Sequence, residues 1–316
     1  MDSIEQKPGN ISKTLLVFNT ILVLLVIWSV FSIYSKFHPI VKKSEVRSEK
    51  VVESKAFNNI NITAKSAYVF DVLQNKVLFK KNEFVQLPLA SVTKLMMALT
   101  AIELFLKGQH ITIKKEFLEE EGDTGLLAGE SWKLKDLLDF SLLVSSNDGA
   151  RSIASVVGAF DLQNQDYELG RKDFINKMNI KAQELGLKQT YFVNESGLDV
   201  SGVSGGYGSA IDVEKLLQYI LENRPEILEA TKYQSVDINS LNKTHVAKNT
   251  NTDINEIPGI IASKTGFTEM AGGNLAIAFD PSIGQPIIVV VLGSSEKGRF
   301  TDVSQLVKAS LDYIRE

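Results

Sequence analysis

The chain has 316 residues, 44% of them hydrophobic and 23% charged, with a formal net charge of −4 and no cysteine. That length holds one large domain or two small ones, the apolar content excludes a wholly disordered chain, and the mild acidity lacks the basic excess of a nucleic-acid binder. The missing cysteines exclude disulfides, a thiol nucleophile, thiolate metal sites and a lipid-modified N-terminal cysteine, although not an exported protein.

The first 58 residues differ from the rest. From Leu15 to Tyr34 the chain reads LLVFNTILVLLVIWSVFSIY, 20 residues without a charge, the length of a helix that crosses a bilayer. Trp28 and Tyr34 lie toward one end, as interfacial aromatics do. A cleaved signal peptide has a shorter apolar core and a small-x-small cleavage site, so the expectation is an uncleaved anchor. Residues 1–14 form a short tail, 15–34 a transmembrane anchor, and 35–58 a charged juxtamembrane linker. Lys7 and Lys13 precede the span; Lys36, Lys42, Lys43 and Arg47 follow it. Taken alone, that bias puts the C-terminal side in the cytoplasm. Residues 59–316 hold 26 basic and 33 acidic residues, the balance of an ordinary soluble domain.

In chain order, Ser66–Asp71 and Lys76–Lys80 are β-rich runs, and Gln74-Asn75 between them suits a hairpin turn because Asn tolerates positive φ. Helical patterns follow at Ser91–Leu106, Leu134–Val144, Ala150–Val157, Arg171–Leu185 and Ile211–Leu221. Gly108 is placed to end the first of them. Three more strands are expected at Gly259–Ser263, Asn274–Phe279 and Ile287–Leu292, and an amphipathic helix at Thr301–Tyr313. Strands at both ends must meet if a sheet is to bury a face, so the helical middle, about residues 107–255, reads as an insertion. No internal repeat or low-complexity tract occurs.

Three short motifs carry candidate chemistry. Ser91-Val92-Thr93-Lys94 opens a helix that is apolar nearly all round, the mark of a buried element. Positions i and i+3 share a face, burial lowers a lysine pKa, and a neutral amine beside a hydroxyl can take its proton. Ser91 is then a nucleophile and Lys94 its base; the plain alternative is an N-cap and a snorkelling lysine. The same S-x-x-K spacing recurs at Ser240–Lys243 and Ser294–Lys297, so the apolar helix is what separates Ser91. Ser145-Ser146-Asn147 lies between two helices, where it either presents a hydroxyl and an amide or merely caps a helix. Lys264-Thr265-Gly266 ends an apolar run, where it offers a fixed positive charge, a hydroxyl and room for a substrate backbone, or simply a turn glycine.

Nucleophile–Lys, then S-x-N, then K-T-G is the ordered signature of penicillin-recognising active-serine enzymes. LPLASVTKLMMAL, EGDTGLLAGESWKLKDLL, LLVSSNDGARSIA, FVNESGLDVSG, KNTNTD, GIIASKTGFTEMAGGNLAIA and IIVVVLGSSEKGRFTD follow in the same order as the blocks of the low-molecular-weight D-alanyl-D-alanine carboxypeptidases, the S11 serine peptidases. The chain resembles that family over roughly residues 62–315.

The resemblance implies an α+β fold of the serine β-lactamase/DD-peptidase type: a five-stranded antiparallel sheet flanked by helices, with a mostly helical subdomain. It implies that Ser91 attacks the D-Ala–D-Ala carbonyl while Lys94 takes its proton. Ser145 relays a proton to the leaving amine, Asn147 holds the substrate amide, and Lys264 and Thr265 meet the terminal carboxylate. The N–H groups of Ser91 and Phe267, with Gly266 beside them, form the oxyanion hole. The implied partners are a peptidoglycan stem peptide ending in D-Ala-D-Ala and β-lactams that acylate Ser91; no cofactor or metal is called for. Peptidoglycan lies outside the membrane, so the resemblance places residues 36–316 on the extracytoplasmic side, against the lysine bias. Three departures stand out: Phe267 where some members carry His, Thr250 at the centre of Asn249-Thr250-Asn251 where a basic residue is common, and a chain that stops after the terminal helix.

Rival readings are a DD-endopeptidase using the same site and a non-catalytic membrane-anchored penicillin or peptidoglycan sensor. Gly202-Val203-Ser204-Gly205-Gly206 also matches the G-x-S-x-G nucleophile elbow, with Asp212 and His245 downstream, but the segment before it is loop-like, not a strand. No E-x-x-L-N segment of a class A β-lactamase is present, so antibiotic hydrolysis is expected to be slow. The acidic run Glu119–Asp123 reads as a solvated turn.

Overall fold

A computed structural model describes residues 55–105, 109–122 and 124–316. The expected anchor at 15–34, the tail before it, residues 35–54 of the linker after it and the Gly108 cap lie outside the described residues. Among those described, no helix is long and apolar enough to cross a membrane.

The strands are β1 (Ser66–Asp71), β2 (Lys76–Lys81), β3 (Leu87–Pro88), β4 (His110–Thr112), β5 (Ser131–Lys133), β6 (Tyr191–Phe192), β7 (Gly206–Gly208), β8 (Ser235–Asn239), β9 (Thr244–Lys248), β10 (Ile260–Thr268), β11 (Gly272–Phe279) and β12 (Ile287–Ser294). The α-helices are α1 (Lys94–Leu104), α2 (Leu134–Leu143), α3 (Asn147–Asp161), α4 (Tyr167–Glu184), α5 (Ala210–Asn223) and α6 (Gly298–Arg315). One antiparallel sheet runs in the order β10-β11-β12-β1-β2. The strands from the two ends of the domain do meet: β1 pairs with β12 from Ser66↔Leu292 to Asp71↔Ile287. Asn75 makes the β1–β2 turn with φ 51°, the left-handed conformation that Asn accepts.

Strand β12 is buried along its whole length because both faces of the sheet are covered. Ile288, Val290 and Leu292 join Tyr68 and Phe70 in the core shared with α1 and the other central helices. Ile287, Val289 and Val291 join Ala67 and Val69 against Val303, Leu306 and Val307 of α6. The period-2 alternation of a strand thus feeds two cores at once. Helix α5, expected within the helical middle, packs on the sheet across β1, β11 and β12.

Several expected boundaries move: α3 and α4 run Asn147–Asp161 and Tyr167–Glu184, where Ala150–Val157 and Arg171–Leu185 were expected, and two further shifts bear on the candidate site. Chain 90–93 is a tight 3₁₀ turn, and α1 proper begins at Lys94. Strand β10 continues through Lys264-Thr265-Gly266 to Thr268, so the motif sits inside the strand and not at its end. Gly266 faces a close neighbour: a Cβ built there would stand 2.8 Å from the Leu89 carbonyl and 3.2 Å from the Ser91 nitrogen. The glycine lets β10 run hard against the turn that carries Ser91.

Candidate active site

Ser91 lies half-buried on the 3₁₀ turn, directly after Ala90, whose φ of 48° is unusual for a residue with a side chain. Such a conformation persists only where its surroundings fix it. Here Gly197 supplies the fit, since a Cβ on it would stand 1.8 Å from the Ala90 carbonyl oxygen.

Lys94 is wholly buried. Its Nζ is 2.9 Å from Ser91 Oγ, 2.8 Å from Asn147 Oδ1 and 2.9 Å from the Ser196 carbonyl oxygen. An ammonium donates to all three. A neutral amine has two N–H groups and one lone pair. The amide and carbonyl oxygens can only accept, so they take the two N–H groups and the lone pair is left for Ser91 Oγ, the one partner with a proton to give. Burial lowers the Lys94 pKa from 10.5 to about 7, against the pull of the Glu195 and Glu120 carboxylates toward the charged form. Both protonation states are therefore within reach near neutral pH.

The second motif divides its labour. Ser146 Oγ accepts from the Gly149 N–H at 3.0 Å and caps α3, as the plain reading expected. Ser145, at φ 62°, turns the chain so that its own hydroxyl meets Lys264 Nζ at 3.0 Å. Asn147 starts α3, accepts from Lys94 through Oδ1 and donates through Nδ2 to the Glu121 carbonyl at 2.7 Å.

Lys264 also donates to the Thr265 carbonyl at 2.9 Å. Burial first, then the Lys94 and Arg299 cations, hold its pKa well below the ordinary lysine range. These neighbours disfavour the positive charge expected at Lys264, and a nearby anion would favour it. Thr265 Oγ1 is 2.5 Å from Thr250 Oγ1, so the departure at the centre of Asn249-Thr250-Asn251 places a hydroxyl where a cation is common. Asn251 Nδ2 donates to Ser263 Oγ at 2.8 Å. Phe267 is 39% exposed at the end of β10, and Arg299 Nη1 donates to the Gly266 carbonyl at 2.9 Å from α6.

Ser91, Lys94, Ser145, Asn147, Lys264 and Thr265 are thereby linked into one cluster, with Gly266 against the Ser91 turn and Phe267 next along the strand. The other S-x-x-K runs do not build such a site. Ser240 closes the β8–β9 hairpin on the Lys243 backbone, and Ser294 donates to Asp302 at 2.7 Å. The G-x-S-x-G elbow is not assembled either. Ser204 donates to the Gly206 carbonyl, Asp212 accepts from Gln189 and Thr190, and His245 is buried beside Glu130 at 3.0 Å. Among the described residues, no group of three His, Cys, Asp or Glu is placed to hold a metal ion.

Sequence reasoning missed the shell behind Lys94. The acidic run is largely exposed, as expected, yet Glu120 turns inward and pairs with Arg151 at 2.9 Å. Glu195 is wholly buried and paired with Arg171. Only the Coulomb needs of a buried carboxylate could have flagged Glu195, and its burial is not visible in the sequence.

This sheet, with Ser91, Lys94 and the two polar motifs gathered beside it, defines the class: the penicillin-binding fold. The chain belongs to peptidase family S11, the D-alanyl-D-alanine carboxypeptidases, whose family model matches residues 50–296. It is 31% identical over 252 residues to the D-alanyl-D-alanine carboxypeptidase DacF of Bacillus subtilis, covering 77% of this chain and 61% of that one; it thus spans under two thirds of that relative's length. It is 30% identical over 253 residues to a D-alanyl-D-alanine endopeptidase of Pseudomonas aeruginosa, covering 76% of this chain and 75% of the relative. Penicillin-binding protein D2 of Listeria monocytogenes, solved with ampicillin bound, superposes with a TM-score of 0.68 at 27% identity over 79% of this chain and 98% of that one.

Proposed function

We propose that the protein is a DD-carboxypeptidase that removes the terminal D-Ala from peptidoglycan stem pentapeptides. The observation that carries this reading is the Lys94 amine, buried and 2.9 Å from Ser91 Oγ, with its other two partners pure acceptors. Ser91 Oγ attacks the carbonyl carbon of the D-Ala–D-Ala bond as its proton passes to Lys94 Nζ. The oxyanion is held by the N–H groups of Ser91 and Phe267; losing one such donor removes roughly 3–4 kcal/mol of transition-state stabilisation. The proton reaches the leaving amine through Ser145, which Lys264 holds at 3.0 Å. The C–N bond breaks, free D-Ala departs, and water cleaves the Ser91 ester. Asn147 orients the acyl-chain amide, while Lys264 and Thr265 receive the terminal carboxylate. A β-lactam follows the same first step and stays on Ser91.

Residues 15–34 anchor the enzyme as a single pass, with 36–316 outside the membrane, where the substrate is. The apolar span and the location of peptidoglycan support this placement against the lysine bias. A second reading, a DD-endopeptidase cutting cross-links, is favoured by the Pseudomonas relative and uses the same residues.

Labelling by a fluorescent penicillin tests the nucleophile. Wild type is expected to label and Ser91→Ala is not; equal labelling, or none in either, removes the assignment. Release of D-Ala from a pentapeptide, against cleavage of a cross-linked dimer, separates the two peptidase readings. Protease digestion of residues 59–316 in intact cells tests the topology, and protection there would place the domain inside.

A further inference from the structure

Behind Lys94 lies a charged shell that none of the steps above uses. Arg171 on α4 donates through Nε to both carboxylate oxygens of Glu195 at 3.0 Å each, and its Nη2 is 3.0 Å from Oε1. The same Nη2 is 3.7 Å from Glu120, which Arg151 of α3 contacts at 2.9 Å while reaching Glu168 at 3.2 Å. Glu195 is wholly buried, a placement a carboxylate tolerates only when paired. The next residue, Ser196, supplies the carbonyl that accepts from Lys94.

The turn holding both is fixed at each end. Asn194 Oδ1 accepts from the Gly197 N–H at 2.7 Å, and Gly197 packs on the Ala90 carbonyl beside the nucleophile. The ion pair thus anchors to α4 the short stretch that touches both Ser91's turn and Lys94's amine.

We propose that Glu195, clamped by Arg171, is a positioning residue for Lys94: it holds the Ser196 carbonyl against the amine and sets the electrostatic field in which that amine exchanges its proton. This rests on the reading of Lys94 as the base.

The charged and titratable groups on the elements packed about this centre are Glu195 and Asp199 on the 194–199 stretch, and Glu120 and Glu121 on the acidic run. Asp148 and Arg151 lie on α3, Glu168 and Arg171 on α4, Lys264 on β10 and Arg299 on α6. Of these, Glu195 and then Glu120 act most on Lys94, both toward its charged form. Neutralising Glu195 therefore makes the ammonium easier to deprotonate. Loosening the site and admitting water does the reverse, because hydration favours the charged lysine. The sign of the change separates a field from a merely structural brace.

The test is the pH dependence of acylation by a fluorescent penicillin, whose rising limb reports the base of the free enzyme. For Glu195→Gln the midpoint is expected to fall by about one pH unit or more, since at an effective dielectric of ~20 even a charge about 12 Å away shifts a pKa by that much. Glu120→Gln, nearer the surface, is expected to move it the same way by less, and Arg171→Lys, which keeps the charge, to leave it in place. A midpoint for Glu195→Gln that is unchanged or higher overturns the proposal. If that variant does not fold, an unchanged or higher midpoint for Glu120→Gln overturns it instead. Wild type that acylates normally while the variants keep its midpoint removes this inference alone. Wild type that fails to acylate removes the assignment of Ser91 and Lys94.

Discussion

Lys94 and Lys264 are the same side chain, both buried in one site, on different supports. Lys94 begins a helix, and the carboxylates of Glu195 and Glu120 work against its burial. Lys264 sits within a strand, and the cations of Lys94 and Arg299 add to its burial. Desolvation pushes both lysines toward the neutral amine, and the neighbours decide what each can do next. Lys94 is held where either proton state is accessible, which suits a group that must take and return a proton. Lys264 meets cations on top of its burial, which suits a group completed by an anion.

Replacing each lysine by methionine, which keeps much of the volume, should break the comparison in different places. Lys94→Met is expected to lower the acylation rate by about 10³-fold, within the range for losing a general base, with stopped-flow penicillin binding as the measurement. Lys264→Met is expected to lower kcat/KM on a peptide with a free C-terminal carboxylate by about 10–100-fold, the loss of a charge-assisted hydrogen bond of about 1.4–3 kcal/mol. The same variant should lose less on the C-terminally amidated peptide, where only its hold on Ser145 is missing, and an equal loss on both would contradict the anion-completed role.

Acidification sharpens the contrast next. The active form of Lys94 is the neutral amine, so the acylation rate rises with pH through the Lys94 value of about 7. Below that the rate should fall about tenfold per pH unit. A flat profile between pH 5 and 8 would remove Lys94 as the titrating base. The smallest change is Gly197→Ala. Its Cβ would stand 1.8 Å from the Ala90 carbonyl and its φ is 82°, so the Ser91 turn must shift. Stability should drop by about 1–3 kcal/mol in a denaturant melt, as overpacking does. Acylation should fall with it, since the Lys94 side of the cleft moves while the Lys264 strand does not.

The sheet was legible because its strands are short β-rich runs punctuated by turn residues. Tyr68, Val69 and Phe70 could be placed in a strand, and Asn75 in its turn, from local preference alone. The ends of β10 and α1 were not, because what extends β10 through Lys264 is pairing with β11, and what tightens chain 90–93 is the crowding of Gly197 and Gly266. Of the cleft, Ser91, Lys94 and the two polar motifs were readable as ordered spacings. Ser145's turn toward Lys264 was not, since it depends on a left-handed backbone at a serine. Glu195 and Arg171 left no trace either. Their partnership joins α4 to a loop 24 positions on, and no spacing rule links two such elements.

The pairing of β1 with β12 carries a consequence in time. Residues Ser66–Asp71 find their partner only at Ile287–Leu292, with the whole cleft encoded between them. A chain delivered from its N-terminus holds β1 and the β1–β2 hairpin with one flank unpaired until nearly all the rest has emerged, and contacts so distant in sequence make for slow folding. The nucleophile, carried on the segment that follows that hairpin, is therefore not brought under Gly266 until β10 arrives. The sheet closes only when its last strand joins, and penicillin labelling of nascent chains should appear only once the C-terminal strands are free to join the sheet.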